Sequence, residues 1–168
     1  MTRPLWPGKP TRDQHNFFRG SKTRKTGILR LSGTHCKTGK TSAIIALVLE
    51  RFYTNPKARI VLVGLSKEHL ERTIVPAIQD LIDPNFLVRE HKTIGARFKG
   101  RNGAEIFLAT DLKEEFKSMF YELVVFDNTC TVTQEDLSRG RLFVLDESKT
   151  DLKRCIQFYM STKLEPYK

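Results

Sequence analysis

Ser32-Gly33-Thr34-His35-Cys36-Lys37-Thr38-Gly39-Lys40-Thr41 is the stretch that decides the fold. It stands between a short apolar run, Ile28 to Leu31, and a longer one that opens at Ala43. A glycine followed by a lysine and a hydroxyl residue meets three chemical demands in order. Backbone N–H groups curl around phosphate oxygens where no Cβ intrudes, a lysine reaches the β and γ phosphates, and a hydroxyl holds Mg²⁺. Gly39, Lys40 and Thr41 meet them, with Thr38 and Ser42 as flanking contacts. A helix starting at Lys40 aims its free N–H groups at the same anion. The pattern GxxxxGK[ST] asks for glycine where Thr34 stands, and Gly33 is one residue early. The alternative is a strand–turn–helix corner whose glycine only turns the chain. That alternative leaves the strand before, the apolar helix after and Gly-Lys-Thr at the junction unexplained.

Outward from this loop, the residues alternate between two patterns. Ala43, Ile44, Ile45, Leu47, Val48, Leu49 and Phe52 are too dense for a one-sided stripe, so the spacing predicts a deeply packed helix from about Lys40 to Tyr53. Asn55-Pro56 ends it. Arg59 to Gly64 reads as a strand buried on both faces. Leu70, Ile74, Ile78 and Leu81 or Ile82 repeat at helical spacing from Ser66, and Pro76 is expected to kink that helix. Asn102-Gly103 between Ala96–Lys99 and Ala104–Ala109 predicts a two-residue hairpin. Asp111 to Phe120 reads as a charged helix or loop. Leu123 to Phe126 and Leu142 to Leu145 are buried-strand patterns, and an amphipathic helix is expected around Leu152 to Met160. Strands alternating with helices indicate an α/β fold, a mostly parallel sheet sandwiched by helices, here a phosphate-loop NTPase fold.

The charge is placed unevenly. Residues 1–40 hold ten Lys/Arg and the single acid Asp13, for a local balance of +9, while residues 41–168 are nearly neutral. Residues 1–27 therefore read as a basic N-terminal arm and 28–168 as the nucleotide-binding domain. The arm, with Lys99 to Arg101, either meets the backbone of a nucleic acid or is a solvated, solubilising face. No apolar run is long enough to cross a bilayer, and no export signal is expected. Cys36, Cys130 and Cys155 form no CxxC pair, which suits reduced thiols in a cytoplasmic setting. The four histidines show no metal-ligand spacing.

A nucleotide site of this kind needs a carboxylate at the end of a neighbouring apolar strand, and usually an acid beside it to polarise water. Leu123-Val124-Val125-Phe126-Asp127 supplies the metal-binding carboxylate but is followed by Asn128. Leu142-Phe143-Val144-Leu145-Asp146-Glu147 supplies two acids, which are alternatively a solvated strand end. An amide orients water but cannot take its proton, so hydrolysis is expected to be slow unless Glu147 or another acid acts as the base. Lys40, Asp127 and Glu147 are the catalytic candidates, and Thr41 with Asp127 the metal ligands.

With these residues in hand, the chain resembles the ATPase domain of the large terminase subunit of tailed bacteriophages, an additional-strand member of the phosphate-loop class. The resemblance spans about residues 4 to 127. It rests on Pro10-Thr11-Arg12-Asp13-Gln14-His15-Asn16-Phe17-Phe18, the phosphate loop, Asn55 to Gly64, Asn102-Gly103-Ala104-Glu105-Ile106 and Tyr121 to Asp127. It implies that Gln14 contacts adenine, although an ordinary surface glutamine fits the same position. It also implies ATP and Mg²⁺ as ligands, ATP hydrolysis coupled to translocation of double-stranded DNA, and a homo-oligomeric ring with portal and small terminase subunit as partners. In three respects the chain departs from the family. Asn128 stands where the family has Glu. Only Lys37 or His35 is basic where the family's loop often carries Arg. The family's nuclease domain has no counterpart in these 168 residues. The departures leave open a nucleotide-binding module with little hydrolysis. A helicase-like ATPase is a further alternative, but no second helicase domain accompanies it.

Overall fold

The computed structural model describes residues 9, 12–21, 25–31, 40–64, 66–90, 95–110, 119–126 and 138–146. Its elements in chain order are α1 (Arg12–Ser21), β1 (Gly27–Leu31), α2 (Lys40–Thr54), β2 (Arg59–Val63) and α3 (Lys67–His69). A π-helical turn (Leu70–Ile74), α4 (Val75–Leu81), β3 (Leu87–Glu90), β4 (Gly95–Gly100), β5 (Glu105–Ala109), β6 (Tyr121–Phe126) and β7 (Gly140–Asp146) follow. The strands form one sheet in the order β1-β7-β6-β2-β5-β4-β3. The first five are parallel, and β4 and β3 join antiparallel. A mostly parallel sheet flanked by helices is the architecture that the alternating strand and helix patterns predict.

Both sheet faces are buried, which explains why the parallel strands read as continuous apolar runs. Along β2, Ile60 and Leu62 face one core while Val61 and Val63 face the other. The first core holds α2, the π-helical turn and α4 against Leu29, Ile106, Leu123, Val125, Leu142 and Val144. Every residue of α2 from Ala43 to Leu49 is buried, and α1 packs against α2. The stretch read as a basic arm thus contains a helix. Ten residues are too few for a helix to stand alone in water, so α1 depends on that packing.

Around Pro76 the helical run is not regular α-helix. The helix opens at Ser66, whose hydroxyl accepts from the His69 N–H at 3.1 Å. It then widens, with the Val75 N–H donating five residues back to Leu70, before Pro76 enters the first turn of α4. Proline has no N–H to give and crowds the carbonyl four residues earlier, and here the chain reaches Pro76 through a π-helical turn within a continuous helical run. The sequence pattern read that turn as ordinary helix.

The hairpin is one residue longer than its sequence suggests. Gly103 N–H donates to Gly100 at 3.0 Å, and Gly100 N–H to Ala104 at 2.9 Å. Arg101, Asn102 and Gly103 therefore form a three-residue loop, with Gly103 in the left-handed region at φ +83. The sheet also continues past β4 into β3, for which the sequence carried too short an alternation to be recognised. The helix expected at Leu152 to Met160 lies outside the described residues, as does most of the 111–120 segment.

Candidate functional site

The polarity of α2 fixes where its N-terminus lies. Its carboxyl end is held by the β4–β5 turn: the Asn102 amide donates to the carbonyls of Phe52 at 2.9 Å and Tyr53 at 3.3 Å. That turn feeds β5, whose first residue Glu105 is in register with Arg59, the first of β2. The end of α2 therefore sits at the amino edge of the parallel strands. Its 15 residues span about 22 Å, more than the roughly 17 Å of a five-residue strand. Lys40 and Thr41 accordingly lie at the carboxyl edge, the edge at which open α/β sheets bind ligands.

Three strand ends meet there. Leu31, the last residue of β1 and the one before the candidate phosphate loop, is in register with Asp146, the last of β7. Leu145 pairs with Phe126, the residue before Asp127, and Phe126 pairs with Val63 of β2. Neighbouring strands lie about 4.8 Å apart. Asp146 is thus one strand from β1, and the end of β6 is two strands away. Both candidate carboxylate strands end on the same edge as the N-terminus of α2. Strand order, which no local pattern encodes, is what inserts β7 between β1 and β6.

Of the nucleotide candidates, Lys40 begins α2, and Thr41 and Ser42 are half-buried in its first turn. The leading N–H groups of a helix have no partner within it and carry partial positive charge, so this turn suits an anion. Gln14 is a residue of α1, the helix packed on α2. Thr38, Gly39, Asp127, Asn128 and Glu147 lie outside the described residues. Lys99 and Arg101, read as possible backbone contacts, sit at the β4–β5 turn on the opposite, amino edge.

Charge is also buried away from this edge. Arg51, in the last turn of α2, is buried, and desolvation lowers its pKa against the opposing pull of Glu50 and Glu122. A cation suits that end of a helix dipole. Arg97 of β4 is buried too and bonds Glu71 of the π-helical turn at 2.9 Å, with Glu90 of β3 at 4.0 Å. Among the described residues no group of His, Cys, Asp and Glu forms a metal cluster, and no helix is long and apolar enough to cross a membrane.

Neither a family model nor a curated protein matches the chain. Solved structures do. The large terminase of bacteriophage HK97 superimposes with a TM-score of 0.68 at 16% identity, over 94% of this chain and 38% of that one. The large terminase of a thermophilic bacteriophage, solved in complex with ATP-γ-S, gives 0.61 at 14% identity, over 88% and 42%. The same terminase with ADP gives 0.59 at 12% identity, over 88% and 43%. The isolated ATPase domain of the Thermus phage P74-26 large terminase gives 0.57 at 13% identity, over 95% and 76%. The chain spans less than half the length of the first two large terminases. The fold is the one these ATPase domains share, as the sequence resemblance anticipated.

Proposed function

We propose that the chain is the nucleotide-driven motor domain of a viral DNA-packaging terminase large subunit, hydrolysing ATP to ADP and phosphate to translocate double-stranded DNA. The observation that carries this reading is the meeting of the α2 N-terminus with the ends of β1, β7 and β6, in a fold shared with large terminases. One such terminase has been solved with ADP and with ATP-γ-S.

The donor set fits ATP and Mg²⁺. It comprises the free N–H groups of the first turn of α2, the Lys40 ammonium, the hydroxyls of Thr38, Thr41 and Ser42, and the Asp127 carboxylate. In this reading Lys40 neutralises the β and γ phosphates, and Thr41 with Asp127 holds the metal shell. Glu147 takes the proton of the attacking water, and Gln14 meets the adenine. Bound Mg²⁺ supplies neutralisation of the charge that develops on the phosphate oxygens. A homo-oligomeric ring, with portal and small terminase subunit as partners, belongs to the same proposal.

A second reading is favoured by one residue. Asn128 follows Asp127 where a base is expected, which suits a module that binds nucleotide without turning it over. Fluorescent-ATP binding and DNA-stimulated phosphate release, measured on wild type and Lys40→Ala, separate the two. Binding and turnover that both vanish in Lys40→Ala support the motor. Binding without turnover at saturating ATP and DNA selects the second reading. A wild-type chain that binds no nucleotide sinks both.

A further inference from the structure

Arg12, His15 and Arg19 are exposed side chains of α1. Spacings of three and four residues bring side chains onto one helical face, so two guanidiniums and an imidazole form a row along it. Lys9 and Lys25, both exposed, bracket the helix in the chain. This is also where the chain concentrates its charge, at +9 in residues 1–40. The row is carried on a helix packed against α2, whose residues Ala43 to Leu49 are buried, so it is a fixed platform and not a loose tail.

We infer that this outward face of α1 is a contact surface for the phosphate backbone of double-stranded DNA. From Arg12 to Arg19 the helix advances about 10 Å, the length over which a duplex presents roughly six phosphate charges. Arginine suits such a face because its planar fork bonds two phosphate oxygens at once, and an imidazole N–H donates to a third. A lipid surface fits less well: among the described residues of α1 the exposed side chains, Arg12, His15 and Arg19, are all polar. The inference rests on the motor reading only for the identity of the polyanion. It deepens that reading by assigning the polymer to the helix that braces the nucleotide-binding helix.

The test is binding of a labelled blunt duplex, without nucleotide, by fluorescence anisotropy over a salt series. Arg12→Gln/Arg19→Gln is expected to weaken binding about ten-fold or more and to flatten the slope of log K against log salt by about 2. Its melting curve and ATP binding stay at wild-type values. Arg12→Lys/Arg19→Lys keeps the charge and is expected to keep the slope, and Arg141→Gln, an exposed arginine elsewhere, changes neither. Wild-type affinity and slope in the Gln/Gln variant overturn the inference while leaving the motor reading standing. Binding of anionic vesicles in place of duplex also overturns it. ATP binding on the same preparations judges the motor reading separately.

Discussion

The side-chain amide of Asn102 donates to the backbone carbonyl of Phe52 across fifty residues of chain, at 2.9 Å. The same amide reaches Tyr53, and its oxygen accepts from the Ala104 N–H at 3.0 Å. The last carbonyls of a helix have no partner of their own, so one side chain both closes a hairpin and caps α2 at its carboxyl end. Asn102→Ala is expected to cost about 1–3 kcal/mol in urea unfolding. Asn102→Asp keeps the acceptor for Ala104 but loses the donors, and should cost as much or more if the cap dominates. Gly103→Ala, at φ +83 with its Cβ 3.2 Å from Lys57 Cγ, adds about 1 kcal/mol of its own.

Arg97 makes the opposite kind of bond, a charge pair taken out of water. Removing one partner leaves a buried charge, whereas removing both leaves a packing change. Glu71→Ala is expected to destabilise by about 2 kcal/mol, moderated by the partial exposure of Glu71. Arg97→Met in the Glu71→Ala background should restore most of that loss. Additive losses in the double-mutant cycle would count against a coupled pair.

Gly64, just past β2, leaves no room for a side chain. An added Cβ would sit 2.7 Å from Leu70 Cδ2 and 2.8 Å from its Cγ, and Leu70 is wholly buried. Gly64→Ala is expected to cost about 1–3 kcal/mol by overpacking. Trimming the obstacle in Gly64→Ala/Leu70→Val should cost less than the sum of the two single changes. A Gly64→Ala protein with wild-type melting would show that the π-helical turn yields easily.

The base of the proposed hydrolysis can be tested without structural change. Glu147→Gln is expected to lower turnover by about 10²-fold or more while ATP binding holds. Asn128→Glu should raise turnover if it supplies a proton acceptor that the wild type lacks. Chelation of Mg²⁺ by EDTA should abolish turnover in every variant. Unchanged rates in Glu147→Gln would move the base elsewhere.

The elements built from one continuous pattern were legible in the residues. Ala43 to Leu49 announced α2, and Ile60 to Val63 and Leu123 to Phe126 announced strands buried on both faces. What the residues did not disclose was relational. Nothing local to Leu142–Leu145 says that it slots between β1 and β6. Val88, exposed on the edge strand β3, breaks the short apolar alternation needed to recognise that strand. Asn102-Gly103 signalled the hairpin but not its third loop residue, because the length depends on the bond from Gly103 to Gly100. Basic composition obscured α1, which is a helix through packing on α2. Spacing marked the candidate nucleotide residues on α2, and the position of Lys40 and Thr41 at the carboxyl edge follows from the register.

The all-round burial of α2 has a mechanical consequence. A helix with solvent on one side can bend or slip when something tugs at its tip, and the strain dissipates along its length. From Ala43 to Leu49 α2 has no such freedom, and its far end is moored to the β4–β5 turn. It is packed as a strut, enclosed along Ala43 to Leu49 and tied at its far end by Asn102. If nucleotide binds at the α2 N-terminus as proposed, the hairpin at the amino edge is the place to look for a distant echo of it.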